Sequence, residues 1–148
     1  MSTVIRIQAA DFDVNAEIEV LGRERDHVGA VASFVGLVRA DDGLVAMTLE
    51  HYPEMTEREI GHHVDEARKR WPIEAVAVIH RVGRLLPGAR IVLVAVASRH
   101  RAAAFEACEF LVDYLKTRAP FWKLEERGNA KAWVEAKASD DHAAERWK

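Results

Sequence analysis

Residues 73–97, IEAVAVIHRVGRLLPGARIVLVAVA, decide the fold class of this chain. Two runs rich in valine, isoleucine and alanine, 73–82 and 90–97, flank the turn-forming pair Pro87-Gly88. Runs of this length and composition are typical of buried strands, and the turn between them favours antiparallel pairing. A chain whose strands pair through such turns is expected to have an α+β fold rather than a doubly wound parallel sheet.

Further strands are predicted on both sides of this pair. Alternating or valine-rich runs predict strands at 4–8, 28–38, 44–52, 121–126 and 131–136. The turn signal Asp41-Asp42-Gly43 favours a hairpin between the strands before and after it, and Gly128-Asn129 favours a final hairpin. The sequence contains no internal repeat or low-complexity linker, so we expect one domain over residues 1–148.

The clearest helix is predicted over residues 53–71. Apolar side chains recur there at helical spacing, and Thr56 with Glu59 three residues later fits a capping box. Pro72 is expected to end the helix, because proline restricts the residue before it to extended conformations.

A second strong helix is predicted over residues 101–117, with Ser98 as its expected N-cap. Residues 13–24 form a weaker helix candidate, which a glycine interrupts. The tail, residues 137–148, is charged and is expected to be mobile, although Trp147 indicates a docking contact.

The composition excludes several classes of protein. The 148 residues are 49% hydrophobic and 30% charged, with a net charge of −3, which gives no support for a nucleic-acid-binding or membrane protein. Cys108, the single cysteine, excludes an internal disulfide and a cysteine-based zinc site. Because the N-terminus lacks an export signal and no apolar run approaches the ~20 residues of a membrane span, we expect a cytoplasmic protein.

Two of the few lysines flank an apolar Pro-Phe-Trp step, where the helix 101–117 leads into a strand. Partial dehydration beside aromatic side chains makes a lysine lose its proton more readily, so Lys116 and Lys123 are candidate acids, bases or nucleophiles. On a helical wheel, Lys116 lies at the shoulder of an apolar arc. The arc comprises Phe105, Cys108, Leu111, Val112 and Leu115. The alternative is that both lysines are solvated ends of amphipathic elements.

The segment Ser98-Arg99-His100-Arg101 would place three basic side chains at the start of a helix. Cations are unfavourable there, because the helix dipole favours anions at its N-terminus. A phosphate or carboxylate would reverse the sign of this effect and would also meet free backbone N–H groups. The alternative is that the side chains extend into water. Arg39, at the end of a predicted strand, gains weight as an anion-binding residue if it converges with this basic turn.

Other kinds of site are not indicated. There is no glycine-rich phosphate loop, no Gly-x-Ser-x-Gly elbow and no Cys-His signature. The histidines do not pair at a spacing of four residues, so we predict no metal site and no resident cofactor. Cys108 lies in the middle of the apolar arc and is expected to be an inert core residue.

Five longer motifs follow one another along the chain. They are TLEHYP at 48–53, VIHRVG at 78–83, HRAAAF at 100–105, DYLKTRAPFWK at 113–123 and WVEA at 133–136. Together they resemble the large, catalytic subunit of molybdopterin synthase, and the resemblance extends from about residue 28 to residue 147. It implies an α/β hammerhead-like fold with additional antiparallel β hairpins.

The resemblance also implies a function. Members of that family are sulfurtransferases that insert two dithiolene sulfurs into cyclic pyranopterin monophosphate, which yields molybdopterin for the molybdenum cofactor. The sulfur arrives as a thiocarboxylate on the C-terminal Gly-Gly tail of a small ubiquitin-like carrier subunit. The implied assembly is a homodimer within a heterotetramer that has one carrier at each end.

By the same resemblance, Lys116 and Lys123 are the catalytic residues. The implied substrate-binding residues are Leu37, Val38, Arg39, His100, Arg101, Leu124 and Glu125. The chain departs from the pattern at Leu37, where some members have a lysine, and at Lys137, where some have an arginine. Both departures bear on the charge of the implied pocket.

Arg101 and Lys116 are fifteen residues apart, which is about 22 Å along a straight helix at ~1.5 Å per residue. One small pterin cannot contact both. Either the substrate and the carrier tail share a long groove, or the basic turn comes from the other protomer of a dimer, which we favour. Two rival functions remain: a non-catalytic adapter for the tail of a ubiquitin-like protein, and a nucleotide-phosphate binder that uses the basic turn.

Overall fold

Two β-sheets organise the structure, a computed structural model that describes residues 2–134 and 138–148. The described elements, in chain order, are β1 (Ser2–Gln8), α1 (Val14–Gly22), β2 (Ala30–Leu37), β3 (Leu44–His51), α2 (Met55–Arg70), β4 (Ala75–Arg81), β5 (Gly83–Leu85), β6 (Arg90–Ser98), α3 (Arg101–Thr117), β7 (Phe121–Arg127), β8 (Ala130–Val134) and α4 (Ala138–Glu145). Mostly antiparallel strands combined with helices confirm the predicted α+β class.

The central sheet has the strand order β1-β4-β6-β2. β4 and β6 are the two predicted apolar strands and pair antiparallel, with Ala75 opposite Ala97, which confirms the prediction. Almost all residues of both strands are buried, because α1 covers one face of the sheet while α2 and α3 cover the other. This two-sided burial explains why both strands are almost uninterrupted apolar runs.

The second sheet has the order β5-β3-β7-β8. Its final hairpin, β7–β8, is the predicted one, and Gly128 adopts the positive φ of 59° that its turn requires. None of the β7 residues is fully buried, because this sheet is not sandwiched between helices as the central sheet is. β5, a strand of three residues, lies in the connection between β4 and β6 and was missing from the predicted elements.

The predicted hairpin of β2 with β3 is wrong. The turn at Gly43 exists, with a φ of 74°, but β2 pairs with β6 whereas β3 pairs with β5 and β7. After β2, the backbone N–H of Val38 donates to the Ala89 carbonyl (2.9 Å) and the Val38 carbonyl accepts from Gly88 (2.7 Å). These bonds hold the end of β2 on the central sheet, so the turn carries the chain from one sheet to the other.

The predicted capping box in α2 is also wrong. The helix begins at Met55, and no side chain caps it. The hydroxyl of Thr56 is buried in the first turn, where it accepts the backbone N–H of Tyr52 (3.1 Å) and donates to the carbonyl of Pro120 (3.2 Å). Thr56 therefore connects β3 with the start of β7 instead of closing the helix end.

Ser98 is not the N-cap of α3 either, although the predicted bounds of this helix are correct. The residue ends β6, is fully buried, and donates its hydroxyl to the carbonyl of Pro72 (2.7 Å). His100 occupies the N-cap position without a side-chain capping bond. In both cases, the hydroxyl that was expected to cap a helix donates instead to a carbonyl oxygen in a distant segment of the chain.

The apolar arc predicted on α3 is wrong at Phe105, whose side chain is 65% exposed. The helix packs on the central sheet through the small side chains of Ala104 and Ala107, together with Cys108 and Leu111. Small side chains let a helix lie close to a sheet, and the buried face that they form does not include Phe105.

The predicted docking of Trp147 is confirmed. Its indole N–H donates to a carboxylate oxygen of Asp113 (2.6 Å), and its ring packs edge-on against Trp71 and Phe110. α4, a helix that was missing from the predicted elements, precedes Trp147 and packs against α3. Lys137 lies outside the described residues.

Candidate functional site

A groove of about 790 Å³ lies where the second sheet meets the end of the central sheet and the C-terminal half of α3. It brings together five of the nine site residues expected from the sequence: Leu37, Arg39, Lys116, Lys123 and Glu125. They come from the end of β2, the end of α3 and the groove face of β7. The candidate site thus brings the end of β2 together with α3 and β7, two consecutive elements that lie much further along the chain.

The two lysines reach the same groove because only a short connection separates the end of α3 from the start of β7. The helix ends at Thr117, and Phe121 starts the strand after its N–H donates to the carbonyl of Ala119 (2.7 Å). Lys123 lies opposite Leu49 of β3, and both line the groove. Lys116 is exposed on the last helical turn, so the two amines approach the groove from different elements.

Alternation along β7 separates two neighbouring candidates. Glu125 shares the groove face with Lys123, whereas Leu124 lies opposite Thr48 and Trp133 and does not line the groove. Val38 is 3% exposed and also lies outside the groove lining. The structure therefore places the side chains of Leu124 and Val38 apart from the other groove candidates.

Ion pairs organise the charges on the groove wall. Arg39 contacts the carboxylate of its neighbour Asp41 at 2.6 Å, and Glu125 contacts Arg127 at 3.1 Å. Leu37, which is 55% exposed, contributes an apolar surface where a lysine would have added a charge. A phosphate or carboxylate could be held there by the lysines and by Arg39, whose guanidinium is accessible.

His80, to which no role was assigned from the sequence, also lines the groove. Its ring is 6% exposed, stacks on Phe121 (centroids 3.9 Å apart) and has Nδ1 2.8 Å from the carbonyl oxygen of Arg81. Burial lowers the pKa of His80 to about 4, and the positive charges of Lys116 and Lys123 act in the same direction. The sequence feature that could have identified His80 as a site residue is its position inside an otherwise apolar strand.

His100 and Arg101 do not line this groove. They are exposed at the other end of α3, next to the point where Ala30 of β2 lies opposite Ser98. Gly29 is needed beside this turn, because a Cβ at that position would lie 2.3 Å from the carbonyl oxygen of Arg99. Arg39 follows the opposite end of β2, so one chain does not bring the basic turn and Arg39 together.

Cys108 cannot act as a nucleophile in this environment. It is buried, its thiol faces the carbonyl of Val94 (3.6 Å), and burial raises its pKa to about 12. Within residues 2–134 and 138–148, no group of three or more histidine, cysteine, aspartate or glutamate side chains could hold a metal ion. In the same part of the chain, no helix is both long and apolar enough to cross a membrane.

Comparison with known proteins identifies the family. The model of the MoaE protein family matches residues 7–118. The chain belongs to the MoaE family. A molybdopterin synthase catalytic subunit from Mesorhizobium japonicum is 56% identical over 151 aligned residues, which cover 100% of this chain and 95% of that protein. The molybdopterin synthase catalytic subunit from Escherichia coli (strain K12) is 53% identical, with 98% of each chain covered.

A solved structure has the same fold as this MoaE family member. The molybdopterin biosynthesis MoaE protein from Burkholderia ambifaria MC40-6 superposes with a TM-score of 0.85 at 51% identity, and the match covers 98% of this chain and 97% of that one. These relatives confirm the resemblance stated from the five sequence motifs and the fold that it implied.

Proposed function

We propose that this MoaE family member is the catalytic subunit of a molybdopterin synthase. It is a sulfurtransferase that converts cyclic pyranopterin monophosphate to molybdopterin, in the biosynthesis of the molybdenum cofactor. The observation that carries the proposal is the convergence of Lys116 and Lys123 on one groove, in a chain so similar to molybdopterin synthase catalytic subunits.

The sulfur comes from a partner, because the buried thiol of Cys108 is unsuited to donate it. A small ubiquitin-like carrier subunit supplies it as a C-terminal thiocarboxylate, and the catalytic subunit pairs with this carrier. A Gly-Gly tail has no side chains beyond hydrogen, so it fits a groove that also holds a substrate. We propose the cytoplasm as the compartment and a heterotetramer, with a central homodimer, as the working assembly.

The reaction proceeds in two chemical stages for each sulfur. The thiocarboxylate sulfur attacks a side-chain carbon of the substrate, and a C–S bond forms as a C–O bond of that carbon breaks. The oxygen leaves as the opened phosphate ester or, after protonation, as water, and the carrier stays attached to the sulfur through its acyl group. Water then attacks the acyl carbon, the bond between that carbon and sulfur breaks, and the carrier leaves with an ordinary C-terminal carboxylate. The sulfur stays on the pterin, and a second carrier repeats the sequence.

The groove residues divide the work. One of Lys116 and Lys123 activates or protonates the reacting groups, and the other neutralises the charge of the thiocarboxylate or the phosphate. Arg39, His100 and Arg101 hold the phosphate and the pterin. Leu37 and Glu125 complete the substrate pocket by contact, whereas the side chains of Val38 and Leu124 support it from outside the groove lining.

The site is shared between two protomers. Arg101 and Lys116 lie at opposite ends of α3, which has 17 residues and so spans about 25 Å at ~1.5 Å per residue. β2 stands at the edge of the central sheet and runs between the same two ends. Antiparallel pairing of β2 with its copy would bring the basic turn of one protomer beside Leu37 and Arg39 of the other.

Reconstitution with purified components tests the function. The protein is incubated with cyclic pyranopterin monophosphate and a thiocarboxylated carrier, and the dithiolene product is measured. We expect product from the wild type, none from Lys116→Ala, and a normal yield from Lys69→Ala, whose side chain is exposed on α2. An adapter would bind the carrier without product, and a nucleotide-phosphate binder would give no product and would not bind the carrier. Near-normal turnover by a folded Lys116→Ala variant would contradict the catalytic assignment.

Mixed dimers test the shared site. Lys116→Ala and Arg101→Ala subunits are inactive separately but complement each other when mixed, because each mixed dimer has one site with both side chains. Random mixing is expected to restore about a quarter of the wild-type rate, since half of the dimers are mixed and one of their two sites is intact. A mixture no more active than either parent would show that each protomer builds its site alone.

A further inference from the structure

His80 belongs to the central sheet yet faces the groove of the second sheet. We propose that it is a positioning residue, whose neutral imidazole accepts a hydrogen bond from the Lys116 ammonium and holds that group toward the reactants. This inference rests on the proposed function, in which Lys116 is a catalytic residue, and it adds a residue to the groove that the family resemblance did not supply.

The orientation of the ring is fixed on two sides. Nδ1 of His80 lies 2.8 Å from the carbonyl oxygen of Arg81, and the ring stacks on Phe121 with an angle of 15° between the planes. A carbonyl oxygen can only accept a hydrogen bond, so Nδ1 carries the proton of the neutral ring. Nε2 is therefore left with a lone pair, which makes it an acceptor in a groove with two lysines.

The charges around the ring favour this role. The pKa of His80 is lowered by the charges of Lys116, His51 and Lys123, in that order of strength. Lys116 is therefore the cation with the strongest electrostatic effect on the ring. With its pKa lowered to about 4, mainly by burial, His80 is neutral near pH 7. A neutral acceptor adds no negative charge beside the lysines, which suits a groove that binds an anionic thiocarboxylate or phosphate.

His63 provides a matched control. It is the other histidine whose pKa falls to about 4 through burial among residues 2–134 and 138–148, and it stacks on Phe110 and Tyr114. It lines a separate cavity of about 280 Å³, which Lys116 and Lys123 do not line. Both histidines thus share aromatic packing and a lowered pKa, although His63 is only half-buried, and only His80 faces the lysine groove.

Two substitutions separate positioning from packing. In His80→Asn, the amide nitrogen replaces Nδ1 and keeps the bond to Arg81, but the acceptor is lost. In His80→Gln, the longer side chain brings an amide oxygen toward the position of Nε2. We expect His80→Asn to lower kcat roughly 10- to 100-fold with little change in KM, because a misplaced catalytic group costs rate rather than binding. His80→Gln should recover most of the loss, and the same pair at His63 should leave kcat unchanged.

A second measurement does not depend on activity. The ¹⁵N resonance of His80 Nε2 is recorded for the wild type and for Lys116→Met. We expect the wild-type resonance to be that of a hydrogen-bonded acceptor and the variant resonance to move to that of an unbonded nitrogen. An Nε2 resonance that does not change when the Lys116 amine is lost would overturn the inference. Equal losses of kcat and of melting temperature in His80→Asn and His80→Gln would also overturn it. Absence of product from the wild type would instead overturn the proposed function, while the resonance would still decide the role of His80.

Discussion

The two sheets of this protein differ in how they are covered, and the difference separates stability from chemistry. The central sheet is buried on both faces, with residues 91–98 of β6 all below a tenth exposed. In the second sheet, β7 has no fully buried residue, and one of its faces forms the wall of the groove. A polar side chain without a hydrogen-bond partner costs free energy inside the central sheet. This cost is smaller on the second sheet, because water or a ligand can reach the side chain.

The contact of His80 with Phe121 joins the two sheets. His80 ends the buried part of β4, and Phe121 begins β7, so their stacked rings connect the rigid layer with the layer that carries Lys123. Rigid support beneath a reactive group is what preorganised catalysis requires. The comparison therefore predicts that substitutions in the second sheet change activity, those in the central sheet change stability, and His80 affects both.

The largest effect is expected on the groove face of β7. Lys123→Ala should lower the rate of dithiolene formation by about 10²- to 10⁴-fold, the usual contribution of a general acid or base. The free energy of unfolding should change by no more than about 0.5 kcal/mol, because the side chain is not part of a core. The measurements are product formation with the thiocarboxylated carrier and urea denaturation. Lys131→Ala, on the outer face of the adjacent strand β8, is the control and should change neither.

The next effect is expected in the centre of the first sheet. Leu93 is fully buried opposite Ile79, so Leu93→Ala should lower the free energy of unfolding by about 2–5 kcal/mol through lost burial and a cavity. Activity per folded molecule should remain near that of the wild type. Leu86→Ala, at a position 55% exposed, should cost far less and serves as the control. A folded Leu93→Ala protein with a damaged rate would show that the two layers are not independent.

The smallest of the three effects is a pH dependence at the junction. Folding lowers the pKa of His80 from 6.5 to about 4, so between these values the unfolded chain binds a proton that the folded chain does not. Stability is therefore full above pH 6.5 and falls as the pH drops toward 4, by about 3 kcal/mol for this residue.

Urea denaturation between pH 7 and pH 4 measures this dependence. His80→Asn should flatten the curve, and His63→Asn should remove the separate share of the other histidine, whose pKa is also lowered to about 4. A curve for His80→Asn parallel to that of the wild type would show that folding does not shift the pKa of His80.

Local patterns in the sequence determined much of the architecture. The apolar runs of β4 and β6 predicted buried strands, the turn at Gly128 required a residue that accepts positive φ, and the apolar spacing of α3 predicted its bounds correctly. Lys116 and Lys123 were identified as one candidate pair, first by the aromatic step between them and then by the family resemblance. Each of these inferences depends on residues that lie close together in the chain, so it can be made from the sequence alone.

Only the tertiary structure decided which distant partners meet. β2 and β3 have the pattern of a hairpin, but the sheets that they join depend on backbone hydrogen bonds to residues far along the chain. The hydroxyls of Thr56 and Ser98 donate to carbonyl groups in other segments. Local sequence rules could not show that these bonds would form instead of helix caps. His80 gained its place beside the lysines in the same way, because the apolar strand that carries it ends where the second sheet begins.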